Sequence, residues 1–248
     1  MSGRRLELNH KVHVLTKREE LDGVRLAGKV VVVLDVLFAT TTMAAILAHG
    51  ATEVVPVRDE VAARARHARL PEGSCVLSGE LMAETLPGFA HPAPLALIEH
   101  GVTGKTVVYS TTNGTVAMQG AEGAAHVYCG ALINAGALAR HIATEHRGDT
   151  VLLVCSGSAN NFNLEDFVGA GAMVERLAAL LGEAADLSDA AKAARAVYRS
   201  AELPGTLLDC RVGRMMAQRG LRHEVEFASR EDCFDVVPAL RGGVLRAL

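Results

Sequence analysis

VVVLDVLFATTT, Val31 to Thr42, decides how this chain folds. Apolar residues occupy successive positions up to Asp35, and Val-Leu-Phe and three threonines follow. An unbroken β-branched run reads as a strand covered on both faces. TTMAAILAHG (41–50) reads as a helix closed by Gly50. A strand that passes directly into a helix is the repeating unit of a parallel α/β sheet. Asp35 interrupts the pattern, because burying a carboxylate without a partner costs several kcal/mol. It requires a metal ion, a cation or backbone N–H groups.

The same grammar continues on both sides. KVVVVLDVL (29–37), TEVVPV (52–57), SCVLSG (74–79), TVVYS (106–110), AAHVYCG (124–130) and TVLLVCSG (150–157) read as strands. RDEVAARARHARL (58–70), NAGALARHIATEH (134–146) with Asn134 as N-cap, NLEDFVGAGAMVERLAAL (163–180) and LSDAAKAARAVYRS (187–200) behind Ser188 read as helices. EVEFAS (224–229) and FDVVPAL (234–240) read as late strands. The alternation predicts a mainly parallel, mixed sheet with helices on both faces. No Pro- or Ser-rich linker divides the chain, so residues 1–248 are expected to form one domain. Segment 72–101 holds three of the seven prolines and reads as the loop-rich part. Two stretches, from Val31 and from Thr106, share a strand, a Thr-Thr loop, a small-residue helix and a second strand, which is ordinary βαβ grammar.

Composition narrows the function classes. Half of the 248 residues are apolar, 4% are aromatic, and the formal net charge is −3. No basic stripe exists, which argues against nucleic acid as a partner. The apolar runs are strand-sized, so no membrane span is expected. MSGRRLELNHKVHV lacks the apolar core of a secretory signal. Five scattered cysteines without C-x-x-C fit a reduced cytoplasm, and Cys155, at the end of an apolar run, is the one to follow. Ten histidines form no H-E-x-x-H motif and no zinc spacing, and His10 and His13 read as surface decoration. The Ala-rich helical surface suggests a homo-oligomer.

In a parallel sheet, ligands bind at the carboxyl ends of the strands. Four polar loops are expected there: Asp35 to Thr42, Ser78 to Glu84, Ser110 to Thr115, and Ser156 to Asp166. Thr40, Thr41, Thr111 and Thr112 offer hydroxyls, and Asn113-Gly114 allows a close backbone approach before a helix N-terminus. No Walker motif is present, and Gly169-Ala170-Gly171 reads as close helix packing. Asp35, Glu80 and Glu165 or Asp166 are hard oxygen donors of the kind that Mg²⁺ prefers. Singly, each has an ordinary explanation as a cap or a first-turn charge. At four successive strand ends together, they read as a site.

VVVLDVLFATTT, LSGE, VVYSTTNGT, the strand ending CSG, NLEDFVGAGAMV, LSDAA and FDVVP together resemble the 2-phosphosulfolactate phosphatase family, the ComB-like proteins of coenzyme M biosynthesis, in order along nearly the whole chain. The resemblance implies a three-layer α/β/α fold and a cytoplasmic, Mg²⁺-dependent phosphatase of a small anionic phosphate ester. Carried onto this sequence, it implies catalytic roles for Asp35, Glu80, Asn113, Glu165 and Asp166. It also implies a metal at Asp35, Glu80 and Asp166. Substrate would meet Phe38, Thr40, Thr41, Leu81, Thr111, Thr112, Asn113, Gly114, Ser156 and Gly157. Asp35 would either hold the metal or act as nucleophile.

The sequence also departs from that family. Phe38 and Leu81 stand where arginines are typical, and Cys210-Arg211-Val212-Gly213-Arg214 replaces a Ser-x-His-Gly-Arg pattern. Losing two charge-assisted hydrogen bonds costs roughly 3–6 kcal/mol, about two to four decades in rate or affinity. Phe38, Leu81 and Met82 would make the pocket more apolar. A changed, less anionic substrate and a non-catalytic ligand-binding role are therefore the alternatives, with Arg211 or Arg214 as substitute cations.

Overall fold

Alternate residues of the valine run face opposite sides of a sheet. Val31 and Val33 enter one hydrophobic cluster, while Val30, Val32 and Leu34 enter another. The computed structural model describes Leu8, residues 10–81 and residues 84–248. Met82 lies outside them. The strands are β1 (Val12–Leu15), β2 (Val30–Leu34), β3 (Glu53–Val57), β4 (Cys75–Leu81), β5 (Glu84–Thr85), β6 (Thr106–Ser110), β7 (His126–Gly130), β8 (Val151–Cys155), β9 (Pro238–Arg241) and β10 (Val244–Ala247). They form a 10-stranded sheet in the order β1-β8-β2-β7-β9-β10-β3-β6-β4-β5.

Helices cover both faces. On one side lie α1 (Ala39–Ala48), α3 (Pro94–His100) and α4 (Gly114–Gly120). On the other lie α5 (Ala135–Glu145), α6 (Leu164–Leu181) and α7 (Asp189–Ser200), with α2 (Glu60–His67) over β3 and β6. This is the expected three-layer α/β/α arrangement. The glycines of α6 serve close packing, since an added Cβ on Gly171 would strike the carbonyl of Ala194 on α7. The C-terminal helices α8 (Gly205–Asp209), α9 (Arg211–Gln218) and α10 (Arg222–Ala228) pack on Val36 and Leu37, just beyond β2. Among the described residues, no helix is long and apolar enough to cross a membrane.

The sheet differs from a simple doubly wound one. β1, β8, β2 and β7 run parallel, as do β3, β6 and β4. The hairpin β9-β10 joins the two groups through antiparallel pairings with β7 and β3, so the groups point in opposite directions. Five strand-to-strand steps separate β2 from β6. At about 20–25° of twist per step, the sheet turns by roughly 100–125° over that span. That rotation brings the carboxyl ends of β2 and β6 round to one corner, above α1. Every residue of α1 from Ala39 to Leu47 is buried, against β3, β7, β9 and β10 and against α3.

Several expected elements change. Residues 224–228 are helical within α10 and Ser229 is its C-cap, so the stretch is not extended. Glu224 is buried there, and its carboxylate accepts from the N–H groups of Leu95 and Ala96 at 2.9 and 3.0 Å, which caps α3. That tertiary contact overrides the local alternation of Val225 and Phe227. The strand expected over 234–240 begins only at Pro238, and its hairpin partner β10 follows Gly242-Gly243. Asn134 does not cap α5. Its amide instead accepts from Ala131 N–H and donates to the carbonyls of Cys129 and Val236. Ser188 does cap α7, accepting from Ala191 N–H at 3.2 Å.

Candidate active site

Asp35 stands one residue past β2, where the N-termini of α1 and α4 meet. The N–H groups of Ala39 and Gly114 both donate to its carboxylate, which favours the ionised form. Burial works against it, as do the nearby carboxylates of Glu80 and Glu165. The balance raises the Asp35 carboxyl to about 7. Gly114 is required for this approach. A Cβ there would sit 2.5 Å from Asp35 Oδ2 and would also collide with the Ala39 methyl.

Glu80 and Glu165 complete an acidic triad. Glu80, near the end of β4, accepts from Thr112 N–H at 2.6 Å and from the Thr112 hydroxyl at 3.1 Å. Glu165, in the first turn of α6, is buried, and burial holds its carboxyl above the usual range. The Cys210 thiol and the Arg211 guanidinium partly offset that rise. Asp166 sits behind the triad. Its Oδ1 accepts from Val36 N–H at 2.9 Å and its Oδ2 from Gly157 N–H at 3.0 Å, so it ties the exits of β2 and β8 together.

Asp35, Glu80 and Glu165 line a cleft of about 200 Å³ together with Leu37, Phe38, Thr112, Asn113, Asn163, Arg211, Val212 and Met215. Asp166 does not line it. Both Asp166 oxygens are engaged by backbone, and of the pair Glu165 and Asp166 it is Glu165 that faces the cleft. The lining also carries a cation, close enough to Glu165 to favour its ionised form. Arg211, at the start of α9, donates to Asn163 Oδ1 at 2.9 Å and to the Ser158 hydroxyl. A second guanidinium, Arg18, donates to Asn113 Oδ1 at 2.6 Å from the short 3₁₀ helix after β1. Arg214 bonds to Asp209 instead. Arg18 carries no spacing or motif signal in the sequence; only the fold brings it near.

The remaining expected site residues divide by position. Phe38, Thr112 and Asn113 line the cleft. Thr40 and Thr41 do not offer hydroxyls to it: Thr40 accepts from Asp35 N–H at 2.8 Å, and Thr41 donates to Val36 O at 2.5 Å. Both are fully buried and brace the β2–α1 turn. Thr111 is likewise closed into reciprocal bonds with Thr115. Gly114 and Thr112 direct their N–H groups at carboxylates, so they do not form a free oxyanion cradle. The Ser156 hydroxyl is buried without a hydrogen-bond partner and, like Gly157, lies outside the cleft lining. Leu81 is 61% exposed and also outside the lining, so it belongs to the surface. All five cysteines are free. Cys155 is fully buried, and the cysteine beside the site is Cys210, whose thiol is pushed up to about 12 by burial and by Glu165.

The donor set fits a hard divalent cation. Three carboxylates share one cleft, and burial first, with their mutual repulsion second, raises the Asp35 carboxyl. An ion bound among them would remove that repulsion and satisfy oxygen donors that Mg²⁺ favours.

Known proteins resemble this chain along most of its length. The family model described as 2-phosphosulpholactate phosphatase matches residues 15–243. Among curated relatives, the probable 2-phosphosulfolactate phosphatase of Caldanaerobacter subterraneus subsp. tengcongensis is 34% identical, over 89% of this chain and 91% of its own. That of Symbiobacterium thermophilum is 34% identical, over 88% and 94%. That of Deinococcus radiodurans is 36% identical, over 86% and 88%.

Proposed function

The chain belongs to the 2-phosphosulfolactate phosphatase family, and from that premise we propose that it hydrolyses a small anionic phosphate monoester with the help of Mg²⁺ in the cleft between Asp35 and Arg211. One observation carries the reading: three carboxylates and a guanidinium line the same cleft. Asp35, Glu80 and Glu165 would hold the ion, which supplies Lewis-acid polarisation of the phosphoryl oxygens when bound.

The chain's own groups have separable roles. The Ala39 and Gly114 N–H groups fix Asp35, and Thr112 fixes Glu80, so the wall is preorganised before substrate arrives. The Cys210 thiol holds Glu165 from behind. Arg211, its fork steadied by Asn163 and Ser158, takes negative charge on the substrate. Leu37, Phe38, Val212 and Met215 exclude water from the ester side of the cleft. This apolar wall favours a second form of the reading, in which the ester carries fewer anionic groups than phosphosulfolactate. A cytoplasmic location belongs to the same reading, since unpaired cysteines persist in reducing compartments.

The test is release of inorganic phosphate from a series of three-carbon phosphate esters bearing none, one or two further anionic groups, with and without Mg²⁺. Hydrolysis should require the ion. Arg211→Ala should raise KM about tenfold to a hundredfold for esters with a further anionic group, and less for a neutral one. Hydrolysis independent of Mg²⁺, or an Arg211→Ala effect equal across the series, would overturn the assignment.

A further inference from the structure

The fold gathers a second donor cluster at the far end of the sheet. His126 opens β7, pairing with Val30 at the amino end of β2, so it lies a strand length of roughly 13 Å from the Leu34–Asp35 end. His146 and Asp149 lie in the connection between α5 and β8. Candidate donor atoms of His126, His146 and Asp149 all fall within 4.8 Å of one another. The His126 and His146 rings lie 4.2 Å apart at their centroids. His146 is buried, while His126 and Asp149 are half-exposed and open to an arriving ion.

The geometry points to a zinc-type metal site formed by His126, His146 and Asp149, separate from the carboxylate cleft. His146 Nδ1 lies 3.2 Å from Asp149 Oδ2. Two donors on a tetrahedral ion with bonds of about 2.0–2.1 Å stand about 3.4 Å apart, so this pair already has the required spacing. The other nitrogen of His146, Nε2, lies 2.6 Å from the Tyr128 hydroxyl, which is itself 2.9 Å from His141 Nε2. With Nδ1 on the ion, Nε2–H donates to Tyr128 and the Tyr128 hydroxyl donates to His141. That fixes the His146 tautomer in the way metal-bound imidazoles generally are fixed.

Two further features support the site. The Lys11 ammonium donates to the carbonyls of His146, Arg147 and Asp149, which holds the ligand-bearing connection in place. The His126 ring lies nearly parallel to the Tyr128 ring, at 6.4 Å between centroids, so Tyr128 packs against both imidazoles of the cluster. Lys11 and Arg241 also place positive charge beside the cluster. Two imidazole donors against one carboxylate select an ion bound through nitrogen, as Zn²⁺, Ni²⁺ or Co²⁺ is, over Mg²⁺ or Ca²⁺. Bound there, the ion would join the start of β7 to the α5–β8 connection.

The experiment is Zn²⁺ uptake by the full chain, freed of metal and held in excess Mg²⁺, measured by competition with a chromophoric chelator. Co²⁺ absorption and melting temperature are read in parallel. The expected result is one Zn²⁺ per chain and a higher melting temperature. Affinity should fall at least about tenfold in both His126→Ala and Asp149→Asn. Tyr128→Phe should weaken binding more mildly. His67→Ala, on the surface of α2, should leave uptake unchanged. Absence of uptake by the parent chain would overturn the proposal, as would equal uptake by the parent and His126→Ala. Uptake lost in Asp35→Asn but kept in His126→Ala would assign the ion to the carboxylate cleft and overturn it equally.

Discussion

Replacing Asp35 by asparagine should make the metal-free protein more stable while it removes activity. Burial and the charges of Glu80 and Glu165 raise the Asp35 carboxyl from the usual 3.8 to about 7. A carboxyl whose folded value lies above its unfolded value favours the fold when protonated. Its contribution is complete below pH 3.8 and is lost as the pH rises toward 7. The interval of about three pH units, at 1.36 kcal/mol each, is worth about 4 kcal/mol. Asparagine stays neutral and escapes that loss. It accepts through one oxygen only, so the N–H groups of Ala39 and Gly114 are less well served, at about 1 kcal/mol. The net expectation for Asp35→Asn without metal is a gain of about 2–3 kcal/mol at pH 8, vanishing below pH 4. Urea unfolding at both pH values, in chelator and then in Mg²⁺, measures it. The parent should gain stability from Mg²⁺, and increasingly so as the pH rises through 7, while the variant should not. A variant less stable than the parent at pH 8 in chelator would refute the repulsion argument, and an undiminished Mg²⁺ response would refute Asp35 as a ligand.

Three other substitutions probe the cleft and its surroundings. Gly114→Ala places a methyl against Asp35 Oδ2 and Ala39, so it should cost about 1–3 kcal/mol of stability and, by moving Asp35 by an ångström or so, about a hundredfold in kcat; parental kinetics and melting would refute the close approach. Phe38→Arg should raise hydrolysis of phosphosulfolactate, since Phe38 lines the cleft, whereas Leu81→Arg, on an exposed strand end, should change stability by less than about 0.5 kcal/mol and leave that activity alone. Efficient hydrolysis by the unmodified chain, with no gain from Phe38→Arg, would show that Arg211 already supplies the needed charge.

The sequence alone determined the layers and the loops of the site. An apolar run such as Val30 to Leu34 is buried on both sides whatever its neighbours are, and period and caps mark helices such as α6 and α7. A carboxylate at the end of such a run must find partners, so Asp35 was legible as a candidate site residue, as was Glu80, although Ser78-Gly79 before it continue β4 and form no turn. Gly242-Gly243 before Val244 was a readable hairpin signal that the alternation of strands and helices obscured. Tertiary structure decided what pairwise geometry governs. It set the two parallel groups in opposition, because the hairpin β9-β10 lies between them and strand order has no local code. It sent Asp166 to the backbone of Val36 and Gly157 and left Glu165 facing the cleft, a choice made by the rotation of α6. It closed Thr40, Thr41 and Thr111 on their own turns. It brought Arg18 to Asn113 and Arg211 to Glu165 from opposite ends of the chain. It gathered His126, His146 and Asp149, whose spacing matches no motif, because donors from separate elements become neighbours only when the strands that carry them pair.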